Sequence, residues 1–417
     1  MTADRHDDGP EPDGQAPSGT GKVMKRRVFY LPGYDPIHPR RYRELYRSEG
    51  GKQAKISGYR IAQKAAQGDR FGWMVRGQTG RDVTVAKIEV LLWSDIVRSS
   101  MDTGVLGTYL ALVRTVWIYL STGAFRRLTL LGRGPVLAAL YPVVALLVQL
   151  AVALGLAWAA GALVSRFVYP GAGWIVALPL VVLILRGFRR VDRRLFAYYL
   201  MHDFAYSARL RGAYPPELEA RMKQFGTAIA AALASDADEV LVVGHSSGAH
   251  LAVSILADLI RAGRVPANGP ALSLLTLGEV IPMLSFLPDA HRLRRDLHFL
   301  SLRDELTWVD ITAPGDPCSF ALCDPVAVSG VAEPDRRWPL VLSAAFSQTL
   351  SDEAQEAMRW RFFRRHFQYL CAFDRPKDYD YFQITAGPLT LAERFAGRKP
   401  SINRIDVAVS GYTSIAA

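Results

Sequence analysis

Cysteine is scarce in this chain: Cys318, Cys323 and Cys371 are the only three among 417 residues. Three thiols cannot all pair, and no Cys-x-x-Cys spacing occurs, which argues against a disulfide framework and against a cysteine zinc site. Their expected role is core packing in a reducing compartment. Charge is also sparse, at 21% of residues, and its acidic half is the smaller, with 39 Asp+Glu against 50 Lys+Arg. So low a charged fraction hints that some apolar sequence meets lipid. The opening residues lack the basic-then-apolar order of a secretory signal, and no internal repeat is visible. What the chain does have is apolar mass: half of it is hydrophobic, which excludes a wholly disordered protein.

The net charge of +11 raises the question of nucleic acid, and its placement answers it. Arg126, Arg127 and Arg133 on one side, with Arg186, Arg189, Arg190, Arg193 and Arg194 on the other, flank a single apolar region. Only Asp192 interrupts them, so these clusters hold most of the excess. That pattern suits a membrane border and not a groove for phosphates, and no nucleic-acid partner is expected.

Between the clusters, Val136 to Val164 carries no charge and is longer than the roughly 20 residues needed to cross a hydrocarbon core. A turn at Pro170-Gly171-Ala172-Gly173 follows, and a second apolar segment from Phe167 to Leu185 holds Pro170 and Pro179. Residues 126–189 therefore read as a transmembrane helical hairpin inserted into a domain made of 27–125 and 190–417. The hairpin is expected to supply an anchor and no chemistry. Its basic ends place the domain and both termini in the cytoplasm, on the inner membrane of a bacterium-like cell. Gly104 to Thr122 is a further apolar helix, but Arg114 interrupts it, and it is expected on the membrane surface or packed on the domain.

Residues 1–26 read as a disordered tail rich in Asp, Gly, Pro and Ser. Its Gly19-Thr20-Gly21-Lys22 is no phosphate loop, because Ala16 stands where the earlier glycine is required and Val23 where Ser or Thr is. Arg27 to Leu31 is a strand stopped by Pro32-Gly33. Residues 40–67 carry helical spacing, and Phe71 to Arg76 and Asp82 to Trp93 are strand-like. After Arg194 come helical stretches at Leu195–Leu210, Pro215–Ala234, Ala249–Ala262 and Ala290–Arg303. Strands are expected at Glu239–Val243, Ala271–Leu277 and Leu306–Ile311, and a charged amphipathic helix at Ser351–Phe367. This alternation predicts an α/β fold with a mostly parallel sheet flanked by helices.

The most informative stretch is Val240-Leu241-Val242-Val243-Gly244-His245-Ser246-Ser247-Gly248. A buried strand runs into Gly-x-Ser-x-Gly, and a helix follows, which is the setting a nucleophile elbow requires. Gly244 and Gly248 let strand and helix approach, and Ser246 projects at the strand end. The helix N-terminus there favours developing negative charge.

On these residues the chain resembles the α/β-hydrolase family, in particular its lipase- and esterase-like members with a Gly-His-Ser-x-Gly elbow (here with His245). The resemblance implies a chain order of Ser, acid, His. Of the histidines beyond the elbow, His291 and His298 leave little room for an acid before them, whereas His366 follows every acid candidate. Family members carry the acid in a turn past a late strand, and Asp316 fits best, with Asp324 and Asp310 as rivals. One oxyanion donor is expected from the Ser247 N–H and the other from Gly33 or Tyr34 after the first strand, where Pro32 replaces the family's usual His.

The implied activity is a membrane-anchored serine hydrolase cleaving lipid-like carboxylic esters through an acyl-enzyme, with no metal and no cofactor. A thioesterase or acyltransferase with the same three residues, and a catalytically silent scaffold that organises membrane partners, are the alternatives.

Overall fold

The computed structural model describes residues 22–416 apart from 67, 69 and 170. Most of the expected tail, the Gly19-Thr20-Gly21 stretch and Pro170 of the hairpin turn lie outside the described residues. Eight strands form one sheet in the order β2-β3-β4-β1-β5-β6-β7-β8. In chain order they are β1 (Lys25–Leu31), β2 (Arg60–Ala65), β3 (Gly72–Thr79), β4 (Asp82–Val90), β5 (Glu239–His245), β6 (Ala271–Leu277), β7 (Leu306–Thr312) and β8 (Leu340–Ser343). From β4 to β8 in that order neighbours pair in parallel, while β2 and β3 form an antiparallel edge. The segments before and after the helical hairpin therefore share one sheet.

Why β1 and β5 sit at the centre is legible in their side chains. Every residue of β5 is buried, as expected of a strand covered on both faces. Val240 and Val242 face a core under the helices Pro216–Leu233 and Gly248–Arg261. Leu241 and Val243 face a second core with Tyr42 and Tyr46 of the helix Arg40–Ser57.

At the start of these strands lies a fully buried ion pair. Arg26 Nε donates to Glu239 Oε2 at 2.5 Å, and Arg26 and Glu239 are register partners across β1 and β5. Their remaining polar atoms are also used. Arg26 donates to Gly387 O at 2.7 Å, and Glu239 Oε1 accepts from Ser273 Oγ at 2.6 Å and Leu391 N at 2.8 Å.

Several boundaries differ from the sequence reading. β1 starts at Lys25, so Lys25 and Arg26 belong to the sheet and not to the tail. The helix expected over residues 40–67 stops at Ser57, because Gly58 turns left-handed at φ 73°, and the charged remainder forms edge strand β2. The helix expected over Ser351–Phe367 is broken into Asp352–Ala357 and Phe362–His366. The break leaves Trp360 exposed and His366 buried. β8 was not foreseen.

The hairpin consists of the helices Arg133–Phe167 and Gly173–Arg190. They cross closely where a Cβ on Gly173 would lie 2.2 Å from Gly161 O. Phe167 thus belongs to the first helix. The apolar part of the second, residues 173–185, is only about 20 Å long at 1.5 Å per residue. The base of the hairpin is held by the domain, for Tyr109 donates to Leu146 O at 2.9 Å and Tyr198 to Leu185 O at 3.4 Å. Two helices, Gly104–Ser121 and Arg133–Phe167, are long and apolar enough to cross a membrane by length and composition. The first of these buries Leu112, Ile118 and Tyr119 against the domain and exposes Leu106, Leu110, Val113, Trp117 and Leu120 on its other face.

Removing one partner of a buried ion pair strands the other charge. Glu239→Ala should therefore lower the unfolding free energy by about 3–5 kcal/mol. Lys25→Ala, which cuts only the exposed pair with Asp236, should leave the denaturation midpoint of the full chain nearly unmoved.

Candidate active site

Ser246 follows β5 with φ 56°, a left-handed conformation that a residue with a side chain adopts at a cost of about 1–2 kcal/mol. The turn is held by Ser246 N–H donating to Leu277 O at 2.9 Å and by Ala249 N–H donating to Ser246 O at 3.0 Å. It is also too tight for side chains around it. A Cβ on Gly248 would lie 2.2 Å from Leu31 O, and one on Gly244 would lie 2.7 Å from Ala249 Cα. The loop after β1 comes equally close, since a Cβ on Gly33 would stand 2.9 Å from Ser246 Cβ and 3.2 Å from its Oγ. Ser246 itself remains half-buried while Ser247 is buried beneath it.

The structure brings Asp316 and His366 together: His366 Nδ1 and Asp316 Oδ2 are 2.7 Å apart, both buried. Asp316 also accepts from Cys318 N at 2.9 Å and from Tyr369 Oη at 3.1 Å. Burial works against its charge, yet the His366 ring, by charge and hydrogen bond, and the Cys318 N–H hold its carboxyl below the usual range. Gly278 after β6 has φ 51°, and a Cβ there would meet Tyr369 Cε2 at 2.6 Å and His366 Cε1 at 3.2 Å. His245 lies behind: its Nε2 is 3.1 Å from His366 O, and burial lowers its pKa to about 3, so the ring is neutral.

The rival acids are committed elsewhere. Asp324 caps the Pro325–Val328 turn and pairs with Arg336 at 3.1 Å. Asp310 accepts from Thr276 Oγ1 at 2.5 Å, and burial pushes its carboxyl up to about 8.

Ser246 and His366 face one cleft of about 60 Å³, which Gly33, Tyr34, Asp203 and Cys318 also line. Among the described residues no hydrogen bond joins Ser246 to His366, a gap common in unliganded sites. The N–H groups of Gly33, Tyr34 and Ser247 have no acceptor among the described residues, and Gly33 and Tyr34 line the cleft. Comparison with protein-family models, curated proteins and solved structures finds no match for this chain. What the site can do must therefore be argued from its own chemistry.

The arrangement offers a hydroxyl on a strained turn, a histidine oriented by a carboxylate, and the backbone amides of Gly33 and Tyr34, unpaired among the described residues, at the same cleft. Asp316, Cys318 and His366 also bring one ligand atom each within 4.8 Å of one another. Burial and the Asp316 charge push the Cys318 thiol well up. A metal needs a thiolate and would have to break the Asp316–His366 hydrogen bond as well. Cys318 thus sits beside the cleft, not in the core where sequence placed it. Sequence reasoning also missed Asp203, Gly278 and Tyr369. Of these, only Gly278, a glycine directly after a predicted strand, carried a local signal.

Since Ser246 is strained and glycine is not at such a φ, Ser246→Gly should be more stable than the native chain by about 1 kcal/mol. Thermal denaturation of the two proteins reads this directly, and a lower midpoint for the glycine variant would show that the turn stores no strain.

Proposed function

We propose that this chain is a membrane-anchored serine hydrolase that cleaves lipid-like carboxylic esters through an acyl-enzyme, on an α/β-hydrolase-like scaffold. The observation that carries this reading is the convergence of Ser246, on its left-handed turn against Gly33, with the Asp316–His366 pair on one cleft. Asp316 holds the proton on His366 Nδ1, which leaves Nε2 free to accept the Ser246 proton. The alkoxide attacks the ester carbonyl, and the N–H groups of Ser247 and of Gly33 or Tyr34 receive the oxyanion. His366 then protonates the departing alcohol. In the second half, a water gives its proton to His366 as it attacks the acyl carbonyl, and His366 returns that proton to Ser246 Oγ as the acid departs.

A membrane setting is supported by the exposed apolar surface of the hairpin, including Leu147, Leu154, Trp158, Leu178 and Leu183, between arginine-rich ends. From Gln149 to Phe167 the first helix reaches about 28 Å, close to the thickness of a hydrocarbon core. Its lower part serves the cleft. Ala138 lines it, and a Cβ on Gly134 would lie 3.1 Å from Pro317 Cα in the acid loop. An anchor that adds only local concentration therefore describes the outer part of the hairpin alone.

A fluorophosphonate probe should label the native chain at Ser246 and leave Ser246→Ala unlabelled. Asp316→Asn should slow labelling and ester turnover by several powers of ten, far more than Asp324→Asn or Asp310→Asn. Labelling that survives in Ser246→Ala would refute the nucleophile, and a silent scaffold would show no labelling at all.

Replacing residues 153–180 by a short flexible linker should release the chain from membranes while hydrolysis of a small soluble ester persists. Removing residues 127–189 should abolish both, because the cleft wall goes with them. A reporter at either terminus should read as cytoplasmic, and an external terminus would overturn the orientation.

A further inference from the structure

Charge in the candidate cleft is unevenly matched. Asp35 accepts from Tyr42 Oη and lies 3.7 Å from Arg41, and Asp316 has His366. Asp203, on the helix Ala197–Ala208, has neither. Among the described residues its one hydrogen bond is a long one from Ser247 Oγ to Oδ1, at 3.5 Å. Among the described residues that line the cleft, none is Lys or Arg. Burial accordingly pushes the Asp203 carboxyl up to about 7, with only the His366 ring and the Ser247 hydroxyl acting against it.

Aromatic side chains share the cleft with this carboxylate. Tyr34 and Tyr199 both line it, and their ring centroids lie 6.1 Å apart. Tyr206 stands 5.7 Å from Tyr34, and its hydroxyl is buried with no partner among the described residues. Phe363 closes on Tyr199 at 5.4 Å. A carboxylate without a Lys or Arg partner, set among tyrosine side chains, is the chemistry that receives an ammonium group.

We propose that Asp203 and the rings of Tyr34, Tyr199 and Tyr206 form a subsite for an ammonium group that the substrate carries within a few bonds of its scissile carbonyl. This rests on the hydrolase reading and narrows its substrate class to cationic esters. A cleft without Lys or Arg gives phosphate-bearing head groups nothing to pair with at this point. The placement also bears on rate. Asp203 touches Ser247, whose N–H is an oxyanion donor, so an unpaired carboxylate there opposes the developing negative charge. A substrate cation on Asp203 cancels that opposition, and the gain appears in the transition state.

Butyrylthiocholine and its uncharged isostere S-(3,3-dimethylbutyl) thiobutyrate differ only in nitrogen against carbon, and release of thiol follows both. The native chain should prefer the cation at least tenfold in kcat/KM, and Asp203→Asn should cut the cationic substrate at least tenfold more than the neutral one. Equal rates on the two substrates, or a preference that survives Asp203→Asn, would overturn the subsite while leaving the hydrolase intact. Binding of choline and of ethanolamine, measured by calorimetry on the detergent-solubilised chain, is read without turnover. Both should bind the native protein and lose affinity in Asp203→Asn. If choline binds but neither thioester nor the fluorophosphonate probe reacts, the hydrolase reading fails and the cation site stands. If choline and ethanolamine both fail to bind, the subsite is refuted.

Discussion

The site depends on one steric constraint: two backbones meet where no side chain fits. The loop after β1 lies on the turn after β5, with Gly33 against Ser246 and Gly248 against the Leu31 carbonyl. That contact needs β1 and β5 adjacent, parallel and in a single register, from Arg26 opposite Glu239 to Leu31 opposite Gly244. At the far end of the same two strands the buried Arg26–Glu239 pair fixes that register by charge. Slipping one residue would bury both ions unpaired and would reverse which side chains face each core. A lock at one end thus holds a near-contact at the other, about six residues and 20 Å away. The strain at Ser246 persists because both strands are already committed.

The turn of the chain that carries Ser246 was legible because its signals are local. An unbroken aliphatic run, glycines two residues either side of a serine, and an apolar helix behind them lie in one short stretch. The parallel sheet was legible from alternation of such runs with helical spacing. The antiparallel edge was not, since the exposed residues of β2 satisfy helical spacing as well as strand spacing, and only Gly58 and Tyr59 separate it from the helix. β8 is four residues long and gains its meaning from pairing with β7. The break after Ala357 depends on where His366 must point, and that is set by Gly278 and Asp316 from elsewhere in the chain.

The groups around the candidate triad were least legible of all. Tyr369 lies three residues past His366, yet its hydroxyl matters only because Asp316 is brought to it from a different strand end. Asp203 looked like an ordinary acid in a helix. Its character comes from what surrounds it after folding, tyrosines and, among the described residues of the cleft, no Lys or Arg, and no spacing rule reports an absence. The hairpin shows the same lesson in reverse. Its apolarity was plain, but that its first turns wall the cleft through Gly134 and Ala138 follows from a packing contact with Pro317.

Two electrostatic regimes therefore coexist on one molecule. Most of the net charge of +11 sits in arginines at the base of the hairpin, where guanidinium groups favour an anionic lipid surface. Among the described residues the cleft beside that base is lined by no Lys or Arg, and its Asp203 carboxyl has only a long hydrogen bond from Ser247. Under the proposed function, an anionic surface attracts the protein through its arginines, and it concentrates small cations by the same field. A cationic ester would then reach the cleft mouth enriched by the lipid and be held inside by Asp203, while anionic esters, though attracted by the arginines, would find no Lys or Arg beside Ser246. Under the proposed function, the anchor and the cleft select for different charges on purpose of position: the arginines read the surface, and the acid reads the molecule drawn to it.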